Sequence, residues 1–97
     1  MKVIFLDRDG VINKYPGDRN YVTSLSGFKF LRGSLTAIRD LSKAGYKLFV
    51  ISNQAGVAKG LYSKKTLNKM TDFMLKSVKN KGGRIEKVLY CLHTETM

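Results

Sequence analysis

Three short apolar runs constrain this chain more than any other feature: KVIFL at residues 2–6, KLFVIS at 47–52 and KVLYCL at 87–92. Each is rich in β-branched and aromatic residues and bounded by polar ones, so each reads as a buried strand. Between the first and second runs, GSLTAIRDLSKAGY places Leu35, Ile38 and Leu41 on one helical face, with Ser34 as N-cap and Gly45 as stop. Between the second and third, Ser63 caps a longer helix with the apolar stripe Leu67, Met70, Phe73, Met74 and Val78, and NKGG at 80–83 ends it. That stripe is a core face. Strands alternating with amphipathic helices require a parallel sheet with right-handed crossovers. The expected fold class is α/β, a Rossmann-like parallel sheet of three strands in one domain over residues 1–97. A chain of this length supports one small core.

The segment 14–30 is left over as a long excursion after the first strand. Long loops at the carboxyl ends of parallel strands are where ligands bind, which makes it a candidate substrate loop. The charge balance indicates the kind of ligand. Eighteen Lys and Arg against seven Asp and Glu give a net charge of +11, which attracts phosphate esters, nucleic acid or acidic surfaces. Many of these lysines fall between apolar positions of the second helix and also fit an ordinary solvated face. No apolar run reaches the roughly 18 residues of a membrane span, so no membrane partner is expected. MKVIFLD meets an aspartate too early for a signal peptide, which leaves a cytoplasmic location as the default. Cys91 is the single cysteine, so no disulfide can form within the chain.

The chemistry concentrates at two strand ends. In VIFLDRDGVIN, at 3–13, Asp7 ends the apolar run, Asp9 follows in the turn, and Gly10 permits a sharp bend. Alternation along an extended backbone turns Asp7 and Asp9 to the same side. Two carboxylates that close repel each other and need a cation or a shared proton. Mg²⁺ suits them, since it takes one or two carboxylates and completes its shell with water and substrate phosphate. D-x-D-G alone is also an ordinary turn after a strand. The second strand adds SNQAGVAKG, at 52–60, in which the Ser52 hydroxyl and loop N–H groups can hold phosphoryl oxygens while Gly56 and Gly60 allow close approach. Adjacent parallel strands aim both clusters at one point.

Together, FLDRDGVIN, ISNQAGVAKG and the terminal YCLH resemble the haloacid dehalogenase superfamily of phosphotransferases. Within it they resemble the family of D-glycero-D-manno-heptose 1,7-bisphosphate phosphatase and histidinol phosphatase. The resemblance implies that Asp7 is the nucleophile and Asp9 the general acid and base, both at the Mg²⁺ site, with Ser52 holding the transferring phosphoryl group. It further implies substrate contacts from Asp18, Arg19, Asn20, Tyr21, Asn53, Gln54, Ala55 and Lys59. Cys91 and His93 form a C-x-H pair that the family uses as half of a structural Zn²⁺ site. The implied activity is hydrolysis of a phosphorylated small molecule, a sugar bisphosphate, through an aspartyl-phosphate.

The superfamily's third-motif lysine and fourth-motif acidic residues have no counterpart here, nor does a downstream C-x-C. The chain is therefore expected to correspond to the N-terminal half of such an enzyme and to be inactive or weakly active. Its first strand is expected to present an unpaired edge through which a homodimer can form. Two further readings use the same residues: a polynucleotide 3′-phosphatase or histidinol-phosphatase-like hydrolase, and a non-catalytic basic module that binds nucleic acid.

Overall fold

The computed structural model describes residues 2–93. Strand β1 (Lys2–Leu6) leads through a long loop to helix α1 (Ser34–Lys43). Strand β2 (Tyr46–Asn53), helix α2 (Lys64–Asn80) and strand β3 (Lys87–Cys91) follow. The three strands form one parallel sheet in the order β1-β2-β3, with Val3 opposite Lys47, Phe5 opposite Phe49 and Ile51 opposite Leu89. The α/β class, the element order and the parallel pairing agree with the sequence reading.

Both crossovers step in the same direction across the sheet, and right-handed crossovers in one direction put their helices on one face. The even-numbered positions of β2 meet those helices. Leu48 and Val50 are fully buried, and α2 contributes Leu67, Met70, Met74 and Val78 to the same core. Each such side chain stabilises the fold by roughly 1.5–3 kcal/mol relative to exposure. The odd-numbered positions face away. Val3, Phe5, Ile51 and Leu89 remain 41–62% exposed, so the strands expected to be buried on both faces are covered on one only.

Two further expectations are corrected. Ser34 does not cap α1. Gly33 takes the cap position with φ 86°, which a glycine adopts without cost, and Ser34 becomes the first helical residue with its hydroxyl buried. Phe73 leaves the core stripe of α2 and is 41% exposed, because its ring packs against Phe28 and Phe30 from the long loop. The expected cap Ser63 is in place, its Oγ accepting from the Thr66 amide at 3.0 Å. The loop itself is anchored by burial of Val22 and Phe28 and by Asn13 bridging Phe30.

Candidate active site

Parallel pairing of β1 with β2 brings their carboxyl ends side by side, and the long loop folds over them. The result is a cleft of about 240 Å³ lined by Asp7 and Asp9 after β1, Ser52 and Asn53 at the end of β2, and loop residues from Tyr15 to Tyr21. Gly10, at φ 88°, turns the chain back after the second aspartate, and the Gly10 amide donates to the Asn13 carbonyl at 2.8 Å.

The two aspartates are held differently. Asp7 is exposed, and among the described residues its carboxylate has no hydrogen-bond or ion-pair partner. Asp9 is fixed. Its Oδ1 accepts from Arg8 Nε at 2.9 Å and from Asn13 Nδ2 at 3.0 Å, while Gln54 Nε2 lies 3.5 Å from its Oδ2. Arg8 is fully buried, lies over the rings of Phe28 and Tyr90, and donates from Nη1 to the Tyr90 hydroxyl at 3.3 Å. Part of the charge repulsion between the aspartates is thus relieved by a guanidinium from the residue between them. Sequence reasoning assigned Arg8 nothing. The alternation that turns Asp7 and Asp9 to the cleft turns Arg8 to the core, where a cation requires a partner.

Behind Asp9 lies a buried polar chain. Gln54 Nε2 donates to Ser52 Oγ at 2.9 Å, and the Tyr62 hydroxyl donates to Gln54 Oε1. Burial pushes the Tyr62 hydroxyl up to about 12, with Arg8 opposing and Asp9 adding to the rise. Tyr62 lies outside both motifs, and nothing in its local sequence marks it as part of the site.

No protein-family model matches the chain. A D-glycero-alpha-D-manno-heptose-1,7-bisphosphate 7-phosphatase of Photorhabdus laumondii is 38% identical over 93 residues, which are 96% of this chain and 49% of that protein. A D-glycero-beta-D-manno-heptose-1,7-bisphosphate 7-phosphatase of Haemophilus influenzae is 38% identical over 92 residues, 95% of this chain and 48% of its own. The crystal structure of D,D-heptose 1,7-bisphosphate phosphatase from B. bronchiseptica, complexed with magnesium and phosphate, matches 98% of this chain and 52% of its own with a TM-score of 0.91 and 38% identity. Over nearly its whole length this chain is homologous to heptose bisphosphate phosphatases, and it shares the fold of the corresponding part of HAD-like phosphatases. It spans about half the length of the curated relatives it matches.

Of the residues that the family pattern implies, the cleft gathers Asp7, Asp9, Arg19, Asn20, Tyr21, Ser52 and Asn53. Four others stand back from it. Asp18 accepts from the Tyr15 hydroxyl at 2.6 Å, a bond that raises the Tyr15 pKa, and Gln54 and Ala55 are buried behind the cleft wall. Lys59 lies over the Tyr21 ring, 5.3 Å from its centroid, and donates to its hydroxyl at 3.3 Å. The loop amides expected to hold phosphate are largely engaged already: Gln54 N donates to the Cys91 carbonyl, Ala55 N to Asn53 Oδ1, and Lys59 N to the Ala55 carbonyl. Gly56 serves the protein interior. A Cβ there would clash with Tyr62 Cε1 and come within 3.0 Å of the Tyr21 ring.

The donor set fits a hard divalent cation. Asp7 offers two free carboxylate oxygens and Asp9 its less engaged Oδ2, in a cleft open to water, and Mg²⁺ needs no more than one or two carboxylates. The second metal expectation finds no support. Cys91 and His93 are both exposed, and no group of three or more His, Cys, Asp or Glu that could hold a metal occurs among the described residues. A structural Zn²⁺ site normally takes four ligands. No helix among the described residues is long and apolar enough to cross a membrane.

Proposed function

We propose that this chain carries the nucleophile-bearing part of a Mg²⁺-dependent phosphatase that acts on a sugar bisphosphate such as D-glycero-D-manno-heptose 1,7-bisphosphate. The observation that carries the reading is the division of labour in the cleft: a free carboxylate on Asp7 beside a carboxylate on Asp9 held by Arg8 and Asn13. In the first step an Asp7 oxygen attacks phosphorus and the P–O bond to the sugar breaks, while Asp9, which enters the step protonated at Oδ2, gives that proton to the departing alkoxide and becomes the carboxylate held by Arg8 and Asn13. In the second, Asp9 takes a proton from water, the resulting hydroxide attacks the aspartyl-phosphate, and Asp7 is released with inorganic phosphate. The Ser52 hydroxyl, oriented by Gln54, would hold a phosphoryl oxygen in both steps. Held by Asp7 together with water and substrate phosphate, Mg²⁺ would neutralise phosphoryl charge while Asp9 Oδ2 carries the proton.

The reading includes slow turnover by these 97 residues alone. They contain no counterpart of the superfamily's third-motif lysine or fourth-motif acidic residues, and each lost charge stabiliser typically costs about 10²–10³ in rate. The test is phosphate release from a sugar bisphosphate, together with mass spectrometry for a phosphoryl group on the protein. Both signals should require Mg²⁺ and vanish in Asp7→Asn, because the amide cannot attack phosphorus. Undiminished release from Asp7→Asn would remove the assignment.

A further inference from the structure

Behind the cleft wall three buried side chains hydrogen-bond in one direction. The Tyr62 hydroxyl donates to Gln54 Oε1, and Gln54 Nε2 donates to Ser52 Oγ at 2.9 Å. Of the three only Ser52 lines the cleft. The direction follows from what each atom can do: an amide oxygen only accepts, an amide nitrogen only donates, and a hydroxyl does both. With the amide as observed, Ser52 Oγ accepts from Gln54 and its own hydrogen is left for a ligand in the cleft. With the amide turned over, Oε1 would draw the Ser52 hydrogen away from the cleft, and Nε2 would face a Tyr62 hydroxyl whose hydrogen has no other acceptor among the described residues. A buried donor without an acceptor is strongly disfavoured. Asp9 gives the amide little support, because its Oδ2 lies 3.5 Å from Nε2, beyond the ordinary N–H···O range.

Tyr62 is held where it can act in this way. It directly precedes Ser63, the cap of α2, and its ring fills the space beside Gly56, where a Cβ would clash with Tyr62 Cε1. Burial pushes its hydroxyl up to about 12, so the hydrogen stays in place at neutral pH. Gln54 is fixed from the other side, its backbone amide donating to the Cys91 carbonyl at 2.7 Å.

We propose that Tyr62 is a positioning residue of the phosphoryl site: its hydroxyl fixes the Gln54 amide so that Ser52 accepts from Gln54 and turns its own hydrogen to the phosphoryl oxygen. The inference rests on the reading of Ser52 as the residue that holds the phosphoryl group, and adds the residue that makes it a donor. Tyr62 itself touches no ligand.

The experiment measures binding of inorganic phosphate to the full chain with Mg²⁺ by phosphorus NMR titration. Wild type is compared with Tyr62→Phe, Ser52→Ala, the double variant, and a chain carrying para-aminophenylalanine in place of Tyr62. Tyr62→Phe keeps the ring beside Gly56 and removes the hydroxyl alone, and its melting temperature checks the fold. It should weaken binding about three- to tenfold, the contribution of one hydrogen bond, and so should Ser52→Ala. In the Ser52→Ala background the Tyr62 change should add no more than about 1.5-fold, because the hydroxyl it directs is gone. The aromatic amine still donates to Oε1 and should restore binding to within about twofold of wild type. A purely structural role for Tyr62 would give additive losses and no such rescue. Additive losses, full binding by Tyr62→Phe, full binding by Ser52→Ala, or no rescue would each overturn the proposal. The expected coupling and rescue, found together with undiminished phosphate release by Asp7→Asn, would uphold Tyr62 and count against the phosphatase reading.

Discussion

Replacing Arg8 with methionine tests whether the buried guanidinium holds the second aspartate or is merely tolerated. Methionine keeps much of the apolar stem and removes three interactions. The charge-assisted bond to Asp9 at 2.9 Å is worth about 1.5–3 kcal/mol. The positions over Phe28 and Tyr90 add about 1–2 kcal/mol together. The 3.3 Å contact with the Tyr90 hydroxyl adds little. Against these stands the relief of a buried cation whose Nη2 has no partner among the described residues, worth about 1–3 kcal/mol. Hydrophobic replacement of buried ion pairs is often neutral or stabilising, but that holds when both charges go. Here Asp9 stays, tied to Asn13 and only 17% exposed, so the loss outweighs the gain. The net destabilisation should be about 2 kcal/mol, or about 8–16 °C in Tm for a domain of this size. Thermal and urea unfolding followed by circular dichroism measure it. A double-mutant cycle with Asp9→Asn isolates the charge component of the pair and should return a coupling of about 1–2 kcal/mol. An Arg8→Met chain as stable as wild type, with coupling near zero, would refute the reasoning.

The raised Tyr62 pKa makes a signed prediction: the folded state holds this proton more tightly than the unfolded chain, so the contribution is present below pH 10 and is lost as pH rises from 10 toward about 12. The stability difference between wild type and Tyr62→Phe should shrink over that window in urea titrations, and a constant difference would contradict it. The exposed Val3, Phe5, Ile51 and Leu89, beside an edge of β1 that is unpaired among the described residues, should make the isolated chain self-associate. Sedimentation should show association rising with salt, which screens the repulsion between +11 chains, and falling in Phe5→Lys. A monomer at every concentration and salt level would rule this association out.

The order of elements was readable without coordinates because it depends on periodicity alone: apolar runs with strand chemistry, and stripes at helical spacing between them. Convergence of Asp7 and Asp9 with Ser52 followed from the same source, since parallel neighbours end side by side. Positions that depend on what lies across from them were not readable. Nothing local to Phe73 says that Phe28 and Phe30 will draw it off the core face, and nothing local to Ser34 says that Gly33 will take its place as cap. Strand composition likewise could not tell a sheet covered on two faces from one covered on a single face.

The division at the cleft has the same physical origin. By itself the sequence determined which residue types arrive at the carboxyl ends of β1 and β2, because covalent spacing and side-chain alternation are properties of the chain. Tertiary structure alone decided how those residues are held and oriented. Arg8 meets Asp9, Phe28 and Tyr90, residues that lie up to 82 positions away in sequence, and leaves Asp7 as a carboxylate without a partner among the described residues. The same long-range packing draws Lys59 onto Tyr21 and leaves Arg19 on the cleft wall, because electrostatic pairing acts through space and is blind to separation along the chain.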